Sequence, residues 1–104
     1  MAFEHWQEGA NQNDTLSQFY LALLYKNGLG INQDYTKAFE LFEIVSGKGL
    51  IEGYYNLGLL YYYGLGTEKN YNKAFINFNI AKDKIVESYY YLGVMYSESR
   101  GVET

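Results

Sequence analysis

The chain contains no cysteine and no proline, and a single histidine and a single tryptophan. Without Cys there is no disulfide framework, no thiolate metal site and no Cys nucleophile, although this fixes no compartment. One His gives little material for general-base chemistry or for a metal site, which needs several His, Cys or carboxylates at fixed spacing. Basic residues are scarce. Eight Lys and Arg stand against twelve Asp and Glu, for a net charge of −4 and a pI near 4.8. That balance disfavours nucleic acid, whose binding needs a basic patch to displace counterions, and it disfavours an anionic membrane surface. No stretch reads as a signal peptide. No apolar run is long enough to span a bilayer, so membrane insertion by this segment is not expected and localisation stays open.

What the chain does have is aromatic and apolar. Its 104 residues fit one domain, and 48% hydrophobic with 19% charged residues is a globular balance. Thirteen Tyr accompany six Phe, and Tyr suits a half-buried surface because its ring packs while its hydroxyl stays wet.

The dominant feature is a repeat. Tyr25-Lys26-Asn27-Gly28-Leu29-Gly30 returns 36 residues later as Tyr61-Tyr62-Tyr63-Gly64-Leu65-Gly66. The same shift carries Tyr35 to Tyr71, Lys37-Ala38-Phe39 to Lys73-Ala74-Phe75, Phe42 to Phe78 and Ile44 to Ile80. Between 20–48 and 56–84, 14 of 29 aligned positions are identical, which chance does not produce and which marks a solenoid. Backwards, the period sets Ala2-Phe3-Glu4 on Ala38-Phe39-Glu40 and Trp6 on Phe42. Forwards, with one residue lost, it sets Tyr54-Tyr55 on Tyr89-Tyr90, Leu57-Gly58 on Leu92-Gly93 and Tyr61 on Tyr96. The expected organisation is one domain over 1–104: helix B of a partial repeat (1–14), two repeats (15–49 and 50–84), then helix A and loop of another (85–104). Neither end resembles a polar cap, so the phase suggests a piece of a longer array; the alternative is a small protein starting at Met1.

Spacing predicts a helix over about 51–63, with Tyr54, Leu57 and Tyr61 on one stripe and Tyr55 and Leu59 on a neighbouring one. Gly58 within it costs helix propensity, so its slot, filled by Ala22 and Gly93 in the other repeats, implies close approach by a partner helix. Gly64-Leu65-Gly66 ends the helix through a left-handed residue. Asp34 and Asn70 stand where an N-cap belongs, before a second helix over about 35–47 that packs through Ala38, Phe39 and Phe42, or Ala74, Phe75 and Phe78 in the next repeat.

These residues resemble the Sel1-like repeat, a relative of the tetratricopeptide repeat. The family pattern runs A-x-x-x-L-G-x-x-Y-x-x-G-x-G-V, a spacer with Asp, then K-A-x-x-W-Y. The middle repeat matches with Gly53, Leu57, Gly58, Tyr61, Gly64, Gly66, Asn70, Lys73, Ala74 and Phe78. The first gives Leu21, Ala22, Tyr25, Gly28, Gly30, Asp34, Lys37, Ala38 and Phe42. The last half gives Leu92, Gly93, Tyr96, Gly101 and Val102, with Ser99 in place of the first loop Gly, while Ile31 and Thr67 replace the usual Val. The resemblance implies an all-α, right-handed α/α solenoid of antiparallel helix pairs. It also implies an adaptor or scaffold that binds a protein or peptide. A cysteine-rich secreted branch of the family carries a disulfide per repeat, and this chain departs from it.

By analogy with the tetratricopeptide repeat, the A helices line the concave side. The groove positions then fall two before, and two and five after, the Leu of Leu-Gly. They are Phe19, Leu23 and Lys26; Tyr55, Leu59 and Tyr62; and Tyr90, Val94 and Ser97, with Asn56 and Tyr63 as neighbours. An aromatic groove suits an apolar peptide or a partner helix. Phe, Tyr and Leu fill most of the places where some tetratricopeptide domains grip a terminal carboxylate, which disfavours that mode. Tyr25, Tyr61 and Tyr96 are expected in the core. Tyr55, Tyr62 and Tyr90 stay open between ligand contact and packing on the next repeat.

No catalytic, cofactor or metal site is read from the sequence. His5 has no orienting partner, Ser88, Ser97 and Ser99 have no His within one repeat, and the Gly-Leu-Gly turns lack the Gly-Lys-Ser/Thr of a phosphate loop. Glu40, Glu43, Glu98 and Glu103 read as solvated. The alternatives to a binding scaffold are a spacer or self-assembly segment acting through open repeat ends, and an accessory region of a larger enzyme.

Overall fold

The computed structural model describes residues 2–98 and 100, and of residues 2 and 3 the backbone alone. The expected family positions Ser99, Gly101 and Val102, and Glu103, lie outside the described residues. Six helices follow one another: α1 (Ala2–Asn11), α2 (Thr15–Asn27), α3 (Tyr35–Gly47), α4 (Ile51–Tyr63), α5 (Tyr71–Ala81) and α6 (Glu87–Ser97). No strand occurs among the described residues. Each helix packs on its neighbours in the chain, giving a solenoid of paired antiparallel helices. The A helices are α2, α4 and α6; the B helices are α1, α3 and α5. The body measures 46 × 25 × 18 Å with a radius of gyration of 14.0 Å, longer than the roughly 13 Å of a compact domain this size.

Turn chemistry fixes the helix ends identically in both full repeats. Gly28 and Gly64 each take φ 69° and send their N–H to the carbonyls of Leu24 and Leu60. The loop then folds back. The N–H of Asp34 reaches the Tyr25 carbonyl at 2.9 Å and that of Asn70 reaches the Tyr61 carbonyl at 3.0 Å. The side chains of Asp34 and Asn70 accept from the N–H groups of Lys37 and Lys73 and cap α3 and α5. Between repeats, Lys48 Nζ donates to the Asn13 carbonyl, to Asn13 Oδ1 and to Gln18 Oε1 at 2.7 to 3.0 Å, so the end of α3 is clasped to the turn ahead of α2.

The core lies between A and B helices. Ala22, Ala38, Phe42, Val45 and Leu60 are fully buried in its first half, and Ala74, Phe78 and Met95 in its second. Burying a Phe stabilises by about 1.5–3 kcal/mol, so Phe42 and Phe78 anchor one repeat each. The small-residue slot has the expected cause. A Cβ at Gly58 would stand 2.8 Å from Cδ1 and Cε1 of Phe78, and Ala22 in the equivalent slot has no exposure. Gly93 differs, since no described atom lies within 4 Å of a Cβ built there. No B helix follows α6 among the described residues. For the same reason Tyr96, expected in the core, is 53% exposed, and its ring meets Phe75 edge to face at 5.6 Å between ring centroids.

The two glycines therefore respond to the same change with opposite signs. Gly93→Ala gains about 1 kcal/mol of helix propensity. Gly58→Ala gains the same but overpacks against a ring that has no room to move, at a cost of about 1–3 kcal/mol. Urea denaturation should therefore rank Gly93→Ala at or above the parent and Gly58→Ala below it. Equal shifts would mean that Phe78 yields freely.

Candidate functional site

The A helices meet side by side, and at each junction one bridging contact uses the same pair of repeat positions with different chemistry. Between α2 and α4, Lys26 Nζ donates to Asn56 Oδ1 at 2.9 Å, and Asn56 Nδ2 donates to the Glu52 carbonyl at 3.0 Å. Between α4 and α6, the equivalents are Tyr62 and Tyr91, whose rings meet edge to face at 5.4 Å. Burial lowers the Lys26 pKa, because this ammonium is partly withdrawn from water and its hydrogen-bond partner is a neutral amide.

Tyr91 is the hub of the second junction. Its ring lies flat on Phe78, with centroids 4.8 Å apart and planes at 6°, and it also touches Tyr55, Tyr63 and Tyr90. The hydroxyls of Tyr63 and Tyr91 share a hydrogen bond at 3.2 Å. Desolvation and that bond push the Tyr91 hydroxyl well above the ordinary phenol range, so it stays neutral. The sequence reading passed over Tyr91. Its signal was available in the position just before Leu-Gly, which holds Tyr20, Asn56 and Tyr91.

The structure sorts the residues read as groove positions. Tyr63 and Tyr90 are exposed, at 51% and 69%. Phe19, Leu23, Lys26, Tyr55, Leu59 and Val94 are half-buried. Asn56 and Tyr62 are buried. Tyr62 packs on Tyr63, Tyr71, Phe78 and Tyr91, and its hydroxyl accepts from Arg100 Nη1 at 3.2 Å. Phe19 packs edge-on against Phe42 at 5.9 Å, and Ser97 is exposed at the end of α6.

Among the described residues the remaining polar groups form no catalytic constellation. His5 is exposed and lies edge-on to Trp6 at 4.7 Å. It borders a cavity of about 260 Å³ with Glu8, Gly9, Gln12 and Ser17. The Ser17 hydroxyl there donates to Asp14 Oδ2 at 2.6 Å, and it holds that carboxyl below its usual pKa. A second hollow of about 220 Å³ lies between α1 and α3, with Leu21, Leu41 and Tyr25 in its wall and Lys37 Nζ 5.4 Å from the Tyr25 ring centre. Ser88 is fully buried, and its hydroxyl has no hydrogen-bond partner among the described residues. No group of three or more His, Cys, Asp or Glu able to hold a metal, and no helix long and apolar enough to cross a membrane, occurs among the described residues.

Comparison with known proteins agrees with this architecture. The Sel1 repeat model matches residues 1–14, 15–44, 51–84 and 86–104. No curated protein matches the chain in sequence. Among solved structures, a Sel1 repeat protein from Oxalobacter formigenes superposes with a TM-score of 0.85 at 25% identity, over 97% of this chain and 42% of that one. A protective antigen of uropathogenic Escherichia coli strains, described as displaying an SLR fold, gives 0.87 at 30% identity over 93% of this chain and 21% of its own. Cysteine rich protein B of Helicobacter pylori, at 24% identity, shares the fold with a TM-score of 0.72 over 83% of this chain and 65% of its own. This chain thus spans less than half the length of the first two. Repeats of this fold typically serve as non-enzymatic scaffolds for protein–protein interaction. Four matched segments covering nearly every residue, in the order and phase of the six helices, place the chain in the Sel1 repeat family.

Proposed function

We infer that this segment binds an apolar or aromatic peptide, or a partner helix, across the A-helix face, with its main contact at the α4–α6 junction. One observation carries the reading. Tyr63 and Tyr90 stand exposed, each with its ring edge-to-face with Tyr91, whose own ring is fixed flat on Phe78. Aromatic rings already held in place offer large contact area with little ordering entropy left to lose. Tyr55, half-buried against Phe78 and Tyr91, continues that surface inward. Phe19, Leu23, Lys26, Leu59 and Val94 extend it along the face as secondary contacts. Asn56 and Tyr62 support it from below.

The test is selection of binders from a random peptide library on the parent chain, followed by binding to a Tyr63→Ala/Tyr90→Ala double variant. Both side chains are more than half exposed, so the variant should keep its helical circular dichroism. Selected peptides should be rich in aromatic and aliphatic residues. They should lose about tenfold or more in affinity for the variant, equal to about 1.4 kcal/mol. Peptides that hold the variant as tightly as the parent would put the binding site elsewhere and end this reading.

A further inference from the structure

We propose that Lys26 is a nucleophilic amine, set at the α2–α4 junction to take an acyl group from a small acyl thioester. The site lies between the two complete repeats and is built from both. Lys26 Nζ donates to Asn56 Oδ1 at 2.9 Å, and Asn56 Nδ2 donates to the Glu52 carbonyl at 3.0 Å. The second bond fixes the amide's orientation, so that its oxygen and not its nitrogen meets the lysine.

An amine attacks only when neutral, so its reactivity depends on what holds its positive charge. The chain has seven lysines. Lys37, Lys69 and Lys73 place Nζ 5.4, 5.7 and 5.5 Å from the ring centres of Tyr25, Tyr71 and Tyr61, whose faces attract a cation. Lys48 Nζ meets three oxygens, and Lys84 Nζ pairs with Glu52 Oε2 at 3.3 Å. Lys82 is followed by Asp83. Lys26 differs. Among the described residues its Nζ has no ion-pair partner and no ring beneath it, and the group it meets is a neutral amide. Glu52, one turn before Asn56 on α4, gives its carboxylate to Lys84. The end of α2 offers no substitute. Free carbonyls in a last helical turn favour a cation, but those of Leu24, Tyr25 and Lys26 already accept from Gly28 and Leu29, from Asp34 and from Gln33. Burial therefore acts unopposed and lowers the Lys26 pKa.

The step needs no reactant besides the thioester. The Nζ lone pair attacks the thioester carbonyl and an N–C bond forms. The C–S bond breaks, and the thiolate leaves with the proton that the amine loses. The product suits the site. The new amide keeps one N–H for Asn56 Oδ1, and the half-buried charge is gone. None of this depends on the peptide-binding reading.

The test treats the chain with S-acetyl-N-acetylcysteamine and follows acetylation at each lysine by peptide mass spectrometry, folded and in urea. Urea gives each lysine's rate without tertiary structure. The neutral fraction of an amine rises as its pKa falls, so near about pH 8 Lys26 should react about threefold or more faster folded than in urea, while the other lysines react no faster. Its rate should also level off at a lower pH when folded. Asn56→Asp sets a carboxylate against Nζ and restores the charge, so it should bring Lys26 to its rate in urea or below, with circular dichroism as the check on folding. A parent whose Lys26 reacts no faster folded than in urea, or levels off at the same pH, overturns the proposal whatever the variant does. A folded Asn56→Asp that keeps the excess rate overturns it too, because the neutral partner would then have no part in the reactivity.

Discussion

Gly66→Ala is expected to cost about 2–5 kcal/mol, while Gly30→Ala, at the same place in the preceding repeat, costs only about 1–2 kcal/mol. The two glycines share the left-handed backbone, with φ of 73° and 79°, so both pay the penalty an L-residue meets there. They differ in what surrounds them. A Cβ at Gly66 would run into the carbonyl of Tyr35, at the start of α3, and nothing within 4 Å would meet one at Gly30. The loop after α4 lies against the N-terminus of the preceding B helix. The obstacle is backbone held by the Asp34 cap, and it cannot turn aside as a side chain would. Urea titration followed by circular dichroism separates the cases, because a change in midpoint at constant slope reports stability alone. Equal losses for the two variants would show that backbone conformation accounts for everything and that the inter-loop contact is slack.

The same comparison shows which parts of the molecule could be read in advance. Helix bounds were legible because they are written in local chemistry. Gly28 and Gly64 stop the A helices, Asp34 and Asn70 start the B helices, and α3 and α4 run over the residues that spacing predicted. The small slot at Gly58 was legible because a helix tolerates Gly only where something needs the space. Burial at the junctions was not. Helix phase says which way residue 62 points, but whether it faces solvent depends on the side chain opposite it in the next repeat. Lys26 meets Asn56 and stays half open to water, whereas Tyr62 meets Tyr91 and closes over. Tyr62, read as a groove position, is therefore buried, and Tyr91 is the ring that lies flat on Phe78. Arg100, beyond the last helix, also reaches back to the Tyr62 hydroxyl and stands 5.3 Å from the Tyr71 ring centre. No periodicity encodes that return. Tyr96, expected in the core, is exposed for a related reason, because no B helix follows α6 among the described residues.

Phe78→Ala should be the most informative core change, because one ring serves both the fold and the proposed binding face. Phe78 is fully buried. It fills the space that Gly58 leaves, takes the flat face of Tyr91 and meets Tyr55 and Tyr62 at 5.8 and 6.4 Å. Removing a buried Phe side chain costs about 3–5 kcal/mol when the surroundings cannot collapse. Here they are α4 and α6, each tied to α5 by its own turn. At about 4–8 °C per kcal/mol for a domain of this size, the melting temperature should fall by roughly 15 °C or more. Ile76→Ala on the same helix removes a side chain 56% exposed and should stay within about 0.5 kcal/mol of the parent. The functional consequence is separable by temperature. In the cold, where the variant is still folded, Tyr91 has lost the ring that orients it. Peptides selected on the parent should then weaken about as much as they do with Tyr63→Ala/Tyr90→Ala, although Phe78 itself is fully buried. Phe78→Leu, which refills much of the volume without a flat surface, should recover most of the stability and little of the binding. If Phe78→Leu restored both together, Phe78 would support the face only by filling space, and the stacked geometry of Tyr91 would carry no weight in recognition.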